Sequence, residues 1–427
     1  MIIHGHESTG QEEGGASLMG DVSIPRGTTE RLGRVEGRLD VANGATIRAA
    51  DGNLVVVTGE ARFGGNAKVD CDLECERLTV ERSGKLVVSG DLTVHTELDV
   101  SNAIEVGGTM KAEDVDVGGR VNARSVSCKR MRVGGIARIS ESLRAELVEV
   151  GGKIEAPGSL EVKELRVGGK AEIGGGAITG TINVGGKFES SSRLDFGELQ
   201  VYGVGSLAGG SRGRKITASG KLEANGDLEC DQIEIAGVAT VSGSCRAVRV
   251  EVKGKLDVAG SFSTSERLDV YGATEVGGEF AGESLRVSGK FSAEKAILTK
   301  DAEIYGSVDT RKGLKAKSVL VRSGTRCTGP IVGESVEVGE SGPGVSAFLL
   351  GQRLRIQAGT SRVEDVYAST VIIGAGSRAG RIFADTVDLR SGCDVDEVTY
   401  LGEIKVADHV KLAHPVRKVD KLQEPPL

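Results

Sequence analysis

The chain has 427 residues, of which 64 are glycine and 7 proline, with 3% aromatic residues and no tryptophan. Its formal net charge of −7 and pI of about 5.6 speak against nucleic acid as a partner, because a phosphate backbone is bound by clustered Lys and Arg. High glycine with low proline is unlike a disordered linker, no Gly-X-Y triplet supports collagen, and no run approaches the ~18 apolar residues of a membrane-spanning helix.

Residues 1–33 carry no periodic pattern. Met1-Ile2-Ile3-His4-Gly5-His6 leads into a Ser, Gly and Glu stretch and Pro25-Arg26-Gly27. This segment is expected to be a flexible N-terminal tail; Ile2 and Ile3 make only a weak case for contact with a membrane surface or another chain. Alternation begins at 34, in Val35-Glu36-Gly37-Arg38-Leu39-Asp40-Val41, and continues through Leu54-Val55-Val56-Val57 and Leu86-Val87-Val88. A two-residue apolar period is that of a strand with one buried face. The glycines Gly37, Gly59, Gly90 and Gly108 are unevenly spaced, so these turns have variable corners.

From Val115 to Gly306 the pattern becomes strict. One phrase, apolar-x-apolar-x-Gly, recurs with its glycine at Gly119, Gly135, Gly152, Gly169, Gly186, Gly203 and onward to Gly289 and Gly306, almost always 17 residues apart. A fixed internal period means one supersecondary unit stacked on copies of itself. Seventeen residues is too short for the ~33-residue helical repeats or the ~20-residue leucine-rich repeat, and the alternation within each unit is that of strands. The expected fold is all-β: a single-stranded parallel β-helix, or β-solenoid, of about 17 residues per turn, each turn adding a strand ~4.8 Å below the last.

Positions one period apart carry the same chemistry. Two residues after the glycine stand Val121, Ala137, Ile154, Ala171 and Phe188, which predicts an inward column. One residue after it stand Lys153, Lys170, Lys187 and Lys221, and three after it Glu155, Glu172, Glu189 and Glu223. These predict an outer wall of interleaved charge, worth roughly 0.2–1 kcal/mol per favourable pair. The recurring glycine is expected to turn a sharp corner at positive φ, in a stack whose backbones pass close together and leave no room for a Cβ.

Past residue 325 the spacing drifts. Irregular turns are expected near 326–350, with an outward loop or kink at Gly342-Pro343-Gly344-Val345-Ser346-Ala347-Phe348, before alternation returns in Leu354-Arg355-Ile356 and Val371-Ile372-Ile373. The β-helix is expected to occupy 34–406, most regular over 109–325, as a rod of roughly 21 or 22 turns and on the order of 100 Å. Residues 407–427, with Pro415, Pro425 and Pro426, form an expected C-terminal tail that cannot extend the ladder, since proline donates no hydrogen bond.

Little in the chain resembles chemistry. The five histidines His4, His6, His95, His409 and His414 all lie outside the regular run. Cys71 and Cys75 with His95 make a weak metal motif compared with paired Cys-x-x-Cys units, and both cysteines fit inward strand positions. The Gly-Gly pairs lack the aspartate of the calcium-binding nonapeptide. No catalytic residue, cofactor site or metal site is expected. Seven scattered cysteines without a signal-peptide core read as reduced thiols of a cytoplasmic protein. One oddity remains: Tyr202, Tyr271 and Tyr305 share one register, just before the closing glycine. They mark a candidate lateral contact edge, against the plainer reading of corner packing.

The seventeen-residue turn and the phrase seen in Val148-Glu149-Val150-Gly151-Gly152-Lys153 and Leu165-Arg166-Val167-Gly168-Gly169-Lys170 resemble the bactofilins, a family of polymer-forming cytoskeletal proteins. The resemblance covers roughly 35–406 and is one of pattern. It implies a right-handed coil of triangular cross-section that polymerises end to end without nucleotide, with self as the first partner and membrane or cell-envelope proteins as others. The chain departs from the family in having several times more turns than a usual bactofilin core. The expected function is a structural, non-enzymatic filament subunit or rod-like scaffold, cytoplasmic or held at a membrane. The alternative is a β-helix enzyme acting on carbohydrate or acyl substrates.

Overall fold

A computed structural model describes residues 17–81, 84–322, 324–339, 346–349, 352–355 and 360–426. Among them there is no helix, and parallel strands stack as a β-solenoid of about 22 turns with roughly 17 residues per turn. The chain divides into two compact units, Met1–Gly213 and Arg214–Leu427.

In the first unit the strand Lys153–Val167 lies between Ile136–Val150 and Lys170–Val184. Lys153 faces Lys170, Glu155 faces Glu172 and Val167 faces Val184, each partner one period away. The expected inward column is sealed: Val121, Ala137, Ile154, Ala171 and Phe188 are all buried. A further inner wall, not resolved by the repeat phrase, is built from Leu143 over Leu160 and Ala145 over Val162. The outer charges pair as expected. Lys153 Nζ lies 2.6 Å from Glu172 Oε2 one turn away, and Lys187 Nζ lies 2.8 Å from Glu189 Oε2 on its own strand.

Of the two features expected of the repeat glycine, the close passage of backbones is present and positive φ is not. None of the glycines closing the phrase from Gly119 to Gly306 takes a left-handed φ. What excludes a side chain is the neighbouring turn. A Cβ at Gly152 would sit 2.5 Å from the Gly135 carbonyl oxygen. In the second unit a Cβ at Gly254 would sit 1.9 Å from Gly237 O, and one at Gly289 1.9 Å from Gly272 O. At these corners successive backbones approach too closely for any carbon between them. In the looser early turns side-chain oxygens do the corner's hydrogen bonding instead. Asn43 Oδ1 accepts from Asn66 N and Asn66 Oδ1 from Lys85 N, both at 2.9 Å. Asp72 Oδ1 accepts from Asp91 N and Asp91 Oδ1 from Thr109 N, both at 2.7 Å.

Within the second unit, taken by itself, parallel strands stack in the same manner. One inward column runs Leu228, Cys245, Phe262, Phe280, Ala296, Leu314. Phe280 lies 5.4 Å, centroid to centroid, from both Phe262 and Phe291, tilted to the first and edge-on to the second. Near the expected irregular turns, Ser346–Leu349 and Gln352–Arg355 form an antiparallel pair, and the ladder resumes with Arg326 facing Arg362. The rest of the expected loop, residues 340–345, lies outside the described residues.

Both expected tail boundaries move outward. Ser17–Met19 pairs with Arg34–Glu36, Val22–Ile24 with Leu39–Val41 and Thr29–Leu32 with Thr46–Ala49, so the ladder is established before residue 34. Ile24 and Leu32 are buried; two apolar anchors suffice for strands whose backbone is paired along one edge. The first sixteen residues, with Ile2, Ile3, His4 and His6, lie outside the described residues. At the other end Lys411–Leu412 pairs with Asp394–Val395 and Arg417–Lys418 with Thr399–Tyr400. Pro415 falls between these two short strands, where no ladder donor is required.

Candidate functional site

The residue before the closing glycine follows an inward Val, Ile or Ala and so projects from the corner. In the first unit this position is Gly118, Gly134, Gly151, Gly168 and Gly185, then Tyr202. The glycines leave an open groove of about 620 Å³, rimmed by Arg132, Glu149 and Arg166. Glu149 bridges both arginines, 3.0 Å from Arg132 Nε and 3.0 Å from Arg166 Nη1. The polar rim is thus internally compensated. Tyr202 is 57% exposed, and its hydroxyl donates to Gln200 Oε1 at 3.3 Å.

In the second unit the same position reads Lys253, Tyr271, Ser288, Tyr305, Arg322, as the registers of the preceding residues show. Tyr271 and Tyr305 are 49% and 43% exposed, two strands or ~10 Å apart. The Arg322 guanidinium carbon stands 6.0 Å from the Tyr305 ring centroid, at the outer limit of a cation–π contact. The expected register of Tyr271 with Tyr305 is therefore present, and both rings remain open to solvent.

Two other hollows occur on outer walls. One, about 640 Å³ in the first unit, is lined by Asn122, Arg138 and Glu155; Arg138 Nε pairs with Glu155 Oε2 at 2.7 Å. The other, about 540 Å³ in the second unit, is lined by Cys230, Arg246 and Thr264. Cys230 Sγ donates to Gln232 O at 3.2 Å.

The sequence-flagged metal motif does not converge. Cys71 and Cys75 are buried in the core, whereas His95 Nε2 meets Glu74 Oε1 at 3.0 Å on the outer face. Among the described residues no three His, Cys, Asp or Glu side chains gather to hold a metal ion. Burial pushes the Cys75, Cys230, Cys245 and Cys327 thiols up to about 12, which keeps them protonated and poor as nucleophiles. On the outer face Asp99 stacks over Asp116. Burial first, then the Asp116 charge, raises the Asp99 carboxyl above its usual range.

No family model matches the chain, and neither a curated protein nor a solved structure matches it. Among the described residues, no helix is long and apolar enough to cross a membrane.

One feature escaped the sequence reading. The column that carries lysine in the regular turns carries Arg326, Arg362 and Arg378 further on. The signal was present as arginines near later glycines, but the drift in spacing past residue 325 hid their common register.

Proposed function

We propose that this chain is a structural, non-enzymatic protein of bactofilin type, which assembles end to end without nucleotide or serves as a scaffold for envelope proteins. The observation that carries the reading is a parallel solenoid whose outermost described turns expose apolar side chains. Leu18 and Met19 are exposed on the first described strand, and Leu401, Val406 and Val416 on the last turns. Parallel strand edges with apolar cross-sections invite pairing with another copy. Supporting it, outer-wall carboxylates such as Glu149, Glu155 and Glu172 are tied into ion pairs with neighbouring cations, as expected of a wall whose charges serve the stack. Cytoplasmic placement and a lateral edge at Tyr202, Tyr271 and Tyr305 belong to the same proposal.

Electron microscopy of the purified chain without nucleotide tests it. Filaments should appear as concentration rises, and bundling of filaments should weaken in a Tyr202→Ala, Tyr271→Ala, Tyr305→Ala variant that still polymerises. A monodisperse particle at high concentration would sink the polymer reading.

A further inference from the structure

In the regular turns, the lysine after the corner glycine has a carboxylate two residues on. Lys187 pairs with Glu189 at 2.8 Å, and in the second unit Lys221 pairs with Glu223 at 2.5 Å and Lys255 with Asp257 at 2.6 Å. Further along the second unit this column runs Ser307, Arg326, Arg362, Arg378, Asp394. Three arginines thus follow one another at the ~4.8 Å strand spacing, all of them exposed.

The compensating column is interrupted beside Arg326 and Arg378, and beside Arg362 its carboxylate makes no ion pair with the arginine. Two residues after each arginine stand Thr328, Glu364 and Gly380. Glu364 Oε2 accepts from the Gly329 backbone N–H at 3.0 Å, and Asp309 Oδ1 accepts from the Thr328 hydroxyl at 2.7 Å. Arg378 reaches Asp394 at 3.3 Å, at the end of the column. Among the described residues Arg326 and Arg362 make no ion pair. Like charges opposite one another on neighbouring strands destabilise a sheet, and exposed arginines add nothing to the core that would offset this.

A row of guanidinium groups held at strand spacing suits a ligand carrying its own row of anionic oxygens, because the guanidinium fork matches phosphate bidentately. We propose that Arg326, Arg362 and Arg378 form a track for a linear phosphate polymer lying along the stacking direction. The track is one column wide and flanked by the Asp309 and Glu364 carboxylates, which favours a thread over a flat anionic membrane. The chain's net charge of −7 resists indiscriminate capture of polyanions, so binding would have to arise locally. This inference is independent of the filament reading.

The test uses the full chain, inorganic polyphosphate and titration calorimetry at low salt. Wild type should bind, and the R326Q/R362Q double variant should lose ~10-fold or more, with the log K against log salt slope falling by about 2, one per lost phosphate contact. R144Q, which removes an exposed arginine paired with Glu161 in the first unit, should bind as wild type does. R326K/R362K should retain part of the binding. The melting temperature of R326Q/R362Q should match or exceed wild type, since a repulsive pair is removed; a lower one would overturn the claim that these charges repel in the native state. Absence of polyphosphate binding, equal loss in R144Q, or orthophosphate binding as tightly as the polymer would each overturn the track. So would vesicles of anionic lipid that bind through these arginines when polyphosphate does not.

Discussion

Replacing Gly254 by alanine separates two explanations of the corner glycine by the sign of the effect. Gly254 is not in the left-handed region, so backbone conformation alone predicts that Gly254→Ala stabilises by about 0.4–1 kcal/mol, through a less flexible unfolded chain. The structure predicts the reverse. The new Cβ would lie 1.9 Å from Gly237 O and 2.4 Å from Ala236 O, whereas ordinary contact begins at 3.4 Å. The turns would have to part by about 1.5 Å, against backbone atoms that cannot rotate away. Lys255 N donates to Gly237 O at 2.9 Å and Gly254 N to Ile235 O at 3.1 Å; such a shift breaks both. At ~1 kcal/mol for each lost bond, with a further penalty for polar groups left unpaired, the cost is roughly 2–4 kcal/mol. Because a solenoid's turns couple mainly to their neighbours, the loss should be local. Hydrogen exchange read amide by amide is therefore the assay, with Lys255 and Gly254 losing protection first. Gly64→Ala is the control, since its Cβ would meet only Val41 O at 3.7 Å. If Gly254→Ala kept or raised protection at Lys255, the close-approach account would be wrong.

Two further perturbations read the core and the outer wall. Phe280→Ala removes the ring that touches both Phe262 and Phe291 and should cost about 3–5 kcal/mol, measured by denaturant melting; a loss below ~1 kcal/mol would mean the column collapses to fill the gap. Lys153, then Lys170, hold the Glu172 carboxyl at about 2, well below its ordinary 4.5. A depressed carboxyl stabilises the folded chain above its unfolded value and loses that contribution as pH falls through its folded value. Glu172→Gln should therefore lower the melting temperature near neutrality, and the gap should close between about pH 4.5 and pH 2. A gap that stays constant across that window would exclude the ion pairs as its source.

How much was readable in the chain varies with distance along it. The inward column of Val121, Ala137 and Ile154 and the Lys153 and Glu172 ladders could be placed from spacing alone, because every strand faces the copy one period away and the period is nearly constant. The ladder around Ser17–Met19 was missed because three-residue strands leave no alternation long enough to recognise; their order comes from backbone pairing with Arg34–Glu36. The shared register of Tyr271 and Tyr305 was visible for the same reason the lysine ladder was. The arginine track was not, since Arg326 and Arg362 face each other across about two periods of sequence rather than one.

The period, the strand alternation and the assignment of residues to inner and outer faces were determined by the sequence, since each depends on side-chain order within one turn and on repetition. The tertiary structure decided what lies between turns: that the corner glycines exclude a Cβ where carbonyls pass, that Glu149 serves two arginines, and that Arg326, Arg362 and Arg378 are neighbours. Those are distances between backbones and charges brought together by stacking, and a linear chain states them only while its period holds.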